Sequence, residues 1–209
     1  MKTISKGEAD PCLNHAREAG WNWNDFHKND QDGYWLVKEQ ALEEQHNECA
    51  YTGLWLGEGT TQTIHLDHFR KKGIYDSLTF DYGNLFAAAK NSSYGSDYKD
   101  GKIHGPRQHA DAQYATFWSP CQQHLEHAFW YRQDGYMLPD DSLSEDEKEM
   151  ARNTIDMYNL NCSDLVNRRA GILRMMEDMR IYDEDTVRMS MSTVGFSFLV
   201  NFELQHRGQ

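Results

Sequence analysis

Residues 49–101 contain, in order, Cys49-Ala50-Tyr51-Thr52-Gly53, Ile64-His65-Leu66-Asp67-His68-Phe69-Arg70, Asp81-Tyr82-Gly83-Asn84-Leu85 and Tyr98-Lys99-Asp100-Gly101. The second segment predicts a strand that ends at Asp67 and His68, followed by a basic turn. Asn84 is expected to cap a helix through residues 85–90, since Asn is a favoured N-cap residue. Asn91 lies two helical turns beyond Asn84 and is expected on the same face. The layout is strand, turn, strand and helix, a ββα unit.

The pair Asp67-His68 combines residue types that suit hydrolysis of a phosphodiester. A neutral His can take a proton from water near neutral pH. An Asp beside it can hold one Mg²⁺ or Mn²⁺ ion, because these ions prefer carboxylate and amide oxygens and water. Asn91 is the expected second ligand. Neighbouring strand residues point to opposite faces, so the two roles require that the strand ends or bulges at this pair.

Basic side chains near the pair are expected to position phosphates. These are Arg70, Lys71, Lys72 and Lys99. Residues 60–107 carry a net charge of +2, whereas the rest of the chain carries −14. Phosphate contacts dominate the affinity of proteins for nucleic acids. We therefore expect a mildly basic face on an acidic body, and the acidic body is expected to dock on a partner with a basic surface.

Further short motifs extend the pattern to nearly the whole chain. They are residues 1–7, Trp23-Asn24-Asp25-Phe26, residues 44–51, His68-Phe69-Arg70, residues 80–85, Ser119-Pro120, Asp134-Gly135, Thr154-Ile155-Asp156 and Leu160-Asn161. With these motifs the chain resembles the HNH endonucleases of bacterial anti-phage defence systems (the Septu and retron-associated, PtuB-like type). Members of this family accompany an ATPase.

The resemblance implies an HNH endonuclease that cuts DNA or RNA and whose activity a PtuA-like ATPase partner releases. His68 would be the general base, Asp67 a metal ligand, Asn91 the second ligand, and Asn84 the residue that orients the loop. The alternative is a catalytically inactive HNH-derived module that binds nucleic acid or a partner. The residues themselves do not distinguish DNA from RNA.

The chain departs from this family at the structural zinc that usually fastens the ββα unit through two pairs of cysteines. The corresponding positions are Cys49, Thr52 and residues near Ala89 and Tyr94. One thiolate cannot replace a site with four ligands, so no structural zinc is expected. Aromatic packing is expected to fasten the unit instead, from Tyr51, Trp55, Phe86 and Tyr94.

Length and composition predict one domain over residues 1–209. The sequence pattern favours a mostly helical α+β fold with a helical C-terminal extension at 108–209, and the resemblance places the HNH ββα core at 49–101. The 209 residues include four well-separated cysteines and no apolar run near the length of a membrane span. These features favour a cytoplasmic protein with reduced thiols. Within the extension, Asp134-Gly135 predicts a tight turn. Ser144 with Glu147 predicts a capping box, and Ser163 is expected to cap the next helix.

Overall fold

The computed structural model describes residues 1–206 as an α+β fold in which helix is the commonest element. The helices are α1 (Pro11–Glu18), α2 (Trp23–Asn29), α3 (Gln31–Glu44), α4 (Gly95–Lys102), α5 (Arg107–Tyr114), α6 (Glu145–Met157), α7 (Ser163–Asp178), α8 (Glu184–Met191) and α9 (Ser197–His206). The strands are β1 (Ile64–His68), β2 (Leu85–Ala89), β3 (Phe129–Tyr131) and β4 (Met137–Pro139). The predicted α+β class is confirmed. None of the helices within residues 1–206 is long and apolar enough to cross a membrane.

The three N-terminal helices begin at local capping signals. The Asp10 side chain caps α1, whose first residue is Pro11. Asn22 and Asp25 form a capping box at the start of α2. Asp30 accepts a hydrogen bond from the backbone of the first turn of α3. Side chains that accept from otherwise unpaired N–H groups favour helix initiation at these residues.

Strands β1 and β2 form an antiparallel hairpin in which Ile64 pairs with Ala89 and His68 pairs with Leu85. Every residue of β2 is buried, and both α3 and α4 pack against this strand. The prediction of a helix through residues 85–90 capped by Asn84 is therefore wrong. The helix of the ββα unit is α4, which begins at Gly95.

Tertiary pairing explains why an Ala-rich segment forms a strand. On the edge of β2 away from β1, the Gln45 side chain accepts from Ala87 N at 2.9 Å and donates to Ala87 O at 2.8 Å. This side-chain amide takes the place of a neighbouring strand. Ala is the best helix former, but its small side chain also allows close packing on both faces of a buried strand. Here the paired and buried environment outweighs intrinsic propensity.

The ββα unit is fastened by packing around Cys49 and the aromatic side chains near it. Cys49 Sγ accepts a hydrogen bond from Ala89 N at 3.4 Å. Three of the four aromatic side chains expected to fasten the unit are buried: Tyr51, Phe86 and Tyr94. The rings of Tyr51 and Phe86 meet edge to face at 6.1 Å. Trp55 is half-buried and donates its indole N–H to the carbonyl of Glu58.

The C-terminal part contains a β-hairpin as well as helices. Strands β3 and β4 turn at Asp134-Gly135, and Gly135 has φ 87°. A Cβ at Gly135 would lie 2.1 Å from the Val166 carbonyl oxygen, so only glycine fits there. The predicted capping box of Ser144 and Glu147 opens α6. Helix α7 begins at Ser163, but its N-cap residue is Cys162, so the expected cap is one residue off.

Candidate functional site

The end of β1 forms the wall of an open groove of about 530 Å³, which we call the His68 groove. Its lining includes His65, Asp67, His68, Lys72, Lys90 and Asp97. His68 is the last residue of β1, so the ladder ends where the sequence required it to end. Asp67 and His68 both line this groove, although neighbouring strand residues point to opposite faces.

The hydrogen bonding of His68 defines which ring nitrogen carries the proton. Its Nε2 atom lies 3.0 Å from the carbonyl oxygen of Thr79. A carbonyl oxygen only accepts, so Nε2 carries the hydrogen and Nδ1 keeps its lone pair. Burial lowers the pKa of His68 to about 4, against the opposing effect of the Thr79 hydrogen bond. The ring is therefore a neutral imidazole at neutral pH, with an unprotonated nitrogen at Nδ1.

An indole ring holds the orientation of His68 from the other side. The ring of Trp23, on α2, meets that of His68 edge to face with centroids 4.5 Å apart and planes at 79°. Trp23 also lines the His68 groove. The imidazole is thus fixed by one hydrogen bond and one ring contact before any ligand arrives.

The carboxylate of Asp67 is buried and ionised. Tyr51 donates to its Oδ2 atom at 2.5 Å and Lys99 Nζ donates to the same atom at 3.2 Å. Burial opposes ionisation, but the Lys99 ammonium and the Tyr51 hydroxyl outweigh it and hold the pKa of Asp67 below its usual value. The other oxygen, Oδ1, lies 4.0 Å from Nε2 of His65.

Lys99 of α4 connects the helix to the end of β1. Its side chain has no exposed area. The ammonium donates to the carbonyl oxygens of His68 and Phe69 at 3.1 and 2.7 Å, and it lies 3.1 Å from Asp100 Oδ1. The expectation that Lys99 contacts phosphates is wrong, because its charge is fully buried among protein acceptors.

Asn84 fixes the backbone that follows His68. Its Oδ1 accepts from Arg70 N at 2.7 Å, and its Nδ2 donates to Arg70 O at 3.0 Å and to Leu78 O at 3.3 Å. The side chain is therefore used on the loop, which is why it caps no helix. These hydrogen bonds hold the loop after His68, and the role of Asn84 in a reaction stays a prediction.

Asn91 lies at the opposite end of the hairpin from Asp67. Asp67 pairs with Phe86, and β2 ends at Ala89 beside the first residue of β1. The Asn91 side chain accepts from Ser93 N at 2.8 Å. The proposed ligand role of Asn91 depended on a helix that is absent, so the structure does not bring it to Asp67.

Two residues that the sequence reasoning missed lie closer to Asp67. His65 shares a strand face with Asp67, as the two-residue period of a strand requires. Its Nε2 lies 3.7 Å from Oδ1 of Asp97 on α4. The spacing His65-x-Asp67 was the available signal, and Asp97 became recognisable only once α4 was placed against β1.

The group His65, Asp67 and Asp97 offers donors of the types that a divalent ion accepts. With bonds of about 2.1 Å, two atoms on one ion lie about 3–4 Å apart, and the two pairs at 4.0 and 3.7 Å are within that range. Nδ1 of His65 is buried and has no hydrogen-bond partner among residues 1–206. Over the same residues, no three His, Cys, Asp or Glu side chains form a group that could hold a metal ion. Asp67 and Asp97 each lie within 4.0 Å of His65 Nε2, and a divalent ion held by these residues stays a prediction.

The remaining predicted basic residues differ in whether their charged groups already bind other protein groups. Lys71 Nζ donates to the carbonyl oxygens of Asp100 and Ile103, at the end of α4. Arg70 pairs with Asp111 at 3.0 Å and lies over the ring of Tyr114. Two lysines remain directed to the His68 groove: Lys72, which was predicted, and Lys90, which was not. Only Lys72 is exposed among the four predicted basic residues.

Comparison with known proteins adds no assignment. The chain matches no protein-family model and no curated protein. The chemistry of the site therefore rests on its geometry.

Proposed function

We propose that this chain is a metal-dependent endonuclease of the HNH type, which hydrolyses phosphodiester bonds of DNA or RNA in the His68 groove. The observation that carries the proposal is the state of His68. Its ring is neutral, its Nε2–H is committed to Thr79 O, its Nδ1 keeps a lone pair, and the residue lines an open groove that Asp67 also lines. A strand–strand–helix unit supports this arrangement.

His68 accepts a proton from water at Nδ1 in this proposal. The developing positive charge on the ring is favoured by the Thr79 carbonyl, because that carbonyl accepts the Nε2–H. A positioned general base contributes about 10²–10⁴ in rate. Asn84 keeps the backbone after His68 in place through both hydrogen bonds to Arg70.

A divalent ion would be held by Asp67 and Asp97. When bound, such an ion stabilises the negative charge that develops on the phosphate and the leaving oxygen. The carboxylate of Asp67 is ionised and fixed by Tyr51 and Lys99, so it needs no reorganisation to act as a ligand. Lys72 and Lys90 provide positive charge at the groove for the phosphates on either side.

A role in anti-phage defence, with a PtuA-like ATPase as partner, is the biological setting that we propose. Its support is the sequence resemblance together with the charge distribution. The chain has a net charge of −12, and an acidic protein gains little affinity for nucleic acid from its own overall field. A partner with a basic surface would supply the affinity for nucleic acid.

A catalytically inactive binding module is the second candidate, and one observation favours it. The Lys99 ammonium already lies 3.2 Å from Asp67, so a cation is present beside the carboxylate without a metal ion. In such a module the buried network would serve the fold alone, and the His68 groove would bind nucleic acid without cutting it.

Cleavage assays decide between the two candidates. We would incubate plasmid DNA and total cellular RNA with the pure protein in Mg²⁺, Mn²⁺ or EDTA, with and without a PtuA-like ATPase. We expect cleavage that requires the metal and falls about 10²–10⁴-fold in His68→Ala. The matched control is His127→Ala, an exposed histidine outside the groove. Equal cleavage by wild type and His68→Ala, or no cleavage in any condition, would leave only the binding module.

A further inference from the structure

A second groove, larger than the first, adjoins the His68 groove. It has a volume of about 690 Å³, and we call it the Trp21 groove. Its walls include Arg17, Trp21, Trp23 and Lys72. The two grooves share Trp23, Lys72 and Gly73 in their linings. A chain molecule lying in the Trp21 groove therefore continues directly to His68.

Two indole rings stand along this path and are held in place by the fold. Trp21 follows Gly20, which has a left-handed backbone conformation at the end of α1. The backbone N–H of Trp21 donates to Ala16 O at 3.1 Å, and its ring contacts that of His15 edge to face with centroids 5.3 Å apart. Trp23 rests edge-on against His68. Both side chains are half-buried, so part of each ring is packed and the rest lies in the groove. Fixed aromatic surfaces are what unpaired bases stack on.

The charges of the Trp21 groove differ in sign from the whole chain. Arg17 and Lys72 line it against one acid, Asp76. Arg17 is anchored by a hydrogen bond from Nη2 to Phe80 O at 2.7 Å. Lys72 is exposed at the junction of the two grooves. Positive charge beside stacking surfaces is the combination with which proteins follow the backbone of a single strand.

We propose that the Trp21 groove binds a single strand of nucleic acid and leads it to His68, with unpaired bases on Trp21 and Trp23 and a phosphate at Lys72. A duplex keeps its bases stacked on one another, so it offers no base face to Trp21. This inference rests on the proposed function for its purpose, because it names the substrate of the same site as single-stranded. The binding itself is measurable without cleavage.

The test is binding of fluorescein-labelled oligonucleotides in EDTA, followed by fluorescence anisotropy. Single-stranded DNA, single-stranded RNA and the DNA duplex of the same sequence are compared. We expect Trp21→Ala to weaken binding of the preferred single strand about tenfold, the typical loss of one base stack. Trp21→Phe should retain most of the affinity. Trp35→Ala is the matched control, because Trp35 is 54% exposed on α3 and lines neither groove.

Several results would overturn the inference. They are equal single-strand affinity of Trp21→Ala and Trp35→Ala, a tenfold loss that is as large for the duplex, or no binding of any single strand by the wild type. Should Trp21→Ala fail to fold by circular dichroism, Lys72→Ala takes its place. Lys72 is exposed, and Lys72→Ala should lower the affinity for single strands and reduce the dependence of that affinity on salt. Unchanged affinity would contradict the proposal.

The outcome separates this inference from the proposed nuclease activity. Wild-type protein that binds single strands through Trp21 but never cuts them would refute the nuclease activity and support single-strand binding in the Trp21 groove. If cleavage requires His68 but Trp21→Ala binds single strands as tightly as wild type, single-strand binding in the Trp21 groove is refuted and the nuclease activity is supported.

Discussion

Lys99 on α4 and Arg169 on α7 are both basic side chains with almost no exposed area, and their surroundings differ. Lys99 lies against two carboxylates, those of Asp67 and Asp100, as well as two carbonyls. Arg169 donates to the Gly135 and Leu160 carbonyls, each at 2.7 Å, and to Asn161 Oδ1 at 3.1 Å. Those three acceptors are uncharged.

The difference indicates that the two regions use buried charge for different purposes. Arg169 ties the β3–β4 hairpin to α7, and carbonyl acceptors are sufficient for that. In the ββα unit, the buried ion pair of Lys99 and Asp67 lies beside an open groove that Asp67, His68 and Asp97 line. Burying ionised groups costs free energy unless they are paired. Stabilising the fold alone would not require ionised groups beside the groove. We infer that the polar network of this unit supports a site.

Removing Lys99 should give the largest loss of stability. Lys99→Met keeps the volume of the side chain but leaves Asp67 and Asp100 buried without their cation. Breaking a buried ion pair costs about 3–5 kcal/mol. Urea unfolding measures it, with Lys102→Met on the same helix as the control. A loss no greater than that of Lys102→Met would show that the two regions do not differ in this way.

The pH dependence of stability should reveal the buried neutral state of His68. The folded pKa is about 4, against 6.5 for an ordinary His. Because the pKa of His68 is lower in the folded state, the unfolded chain binds the proton at a higher pH than the folded protein does. The contribution of neutral His68 to the free energy of unfolding is therefore complete above about pH 6.5 and is lost as pH falls towards about 4. The loss over this window is about 3 kcal/mol.

The measurement is urea unfolding in EDTA between about pH 7 and pH 4, for wild type and His68→Ala. The stability of wild type should fall more steeply, and the difference between the two curves isolates His68 because all other groups are common to both. Parallel curves would mean that His68 is not held neutral by burial.

Replacing Arg169 should have a smaller effect, confined to the C-terminal region. Burial lowers the pKa of Arg169 to about 10, so it stays protonated at neutral pH. Arg169→Met leaves the Gly135 and Leu160 carbonyls unpaired, at a cost of about 1–3 kcal/mol. Thermal unfolding measures the loss, and cleavage or binding in the His68 groove should remain as in wild type. A loss exceeding that of Lys99→Met would reverse the comparison.

The sequence allowed the C-terminal region to be predicted better than the ββα unit, and the reason is physical. The Ser144–Glu147 capping box and the Asp134-Gly135 turn depend on contacts between residues two or three positions apart. Residues 85–89 form a strand because of pairing with β1 and Gln45, which no local rule contains. An Ala-rich run after Asn therefore gave the wrong element.

The same distinction applies to the site. Asp67 and His68 were predicted as a pair because they are adjacent and end a strand, and the prediction that Asn84 orients the loop depended on the family resemblance. Asp97 could not be predicted locally, since its approach to His65, on the same face of β1 as Asp67, exists only once α4 packs on the hairpin. The assignment of Asn91 failed with the helix on which it depended. The metal itself stays a prediction.

Binding of Mn²⁺ to the metal-free protein, followed by electron paramagnetic resonance of the free ion, tests the site most directly. We expect binding by wild type that Asp97→Asn weakens at least about tenfold, without loss of stability, since the Asp97 side chain is 32% exposed and outside the buried Lys99 network. Asp156→Asn, exposed on α6, is the control and should bind as wild type does. Equal Mn²⁺ affinity in all three proteins, or no binding by wild type, would contradict a metal site between Asp67 and Asp97.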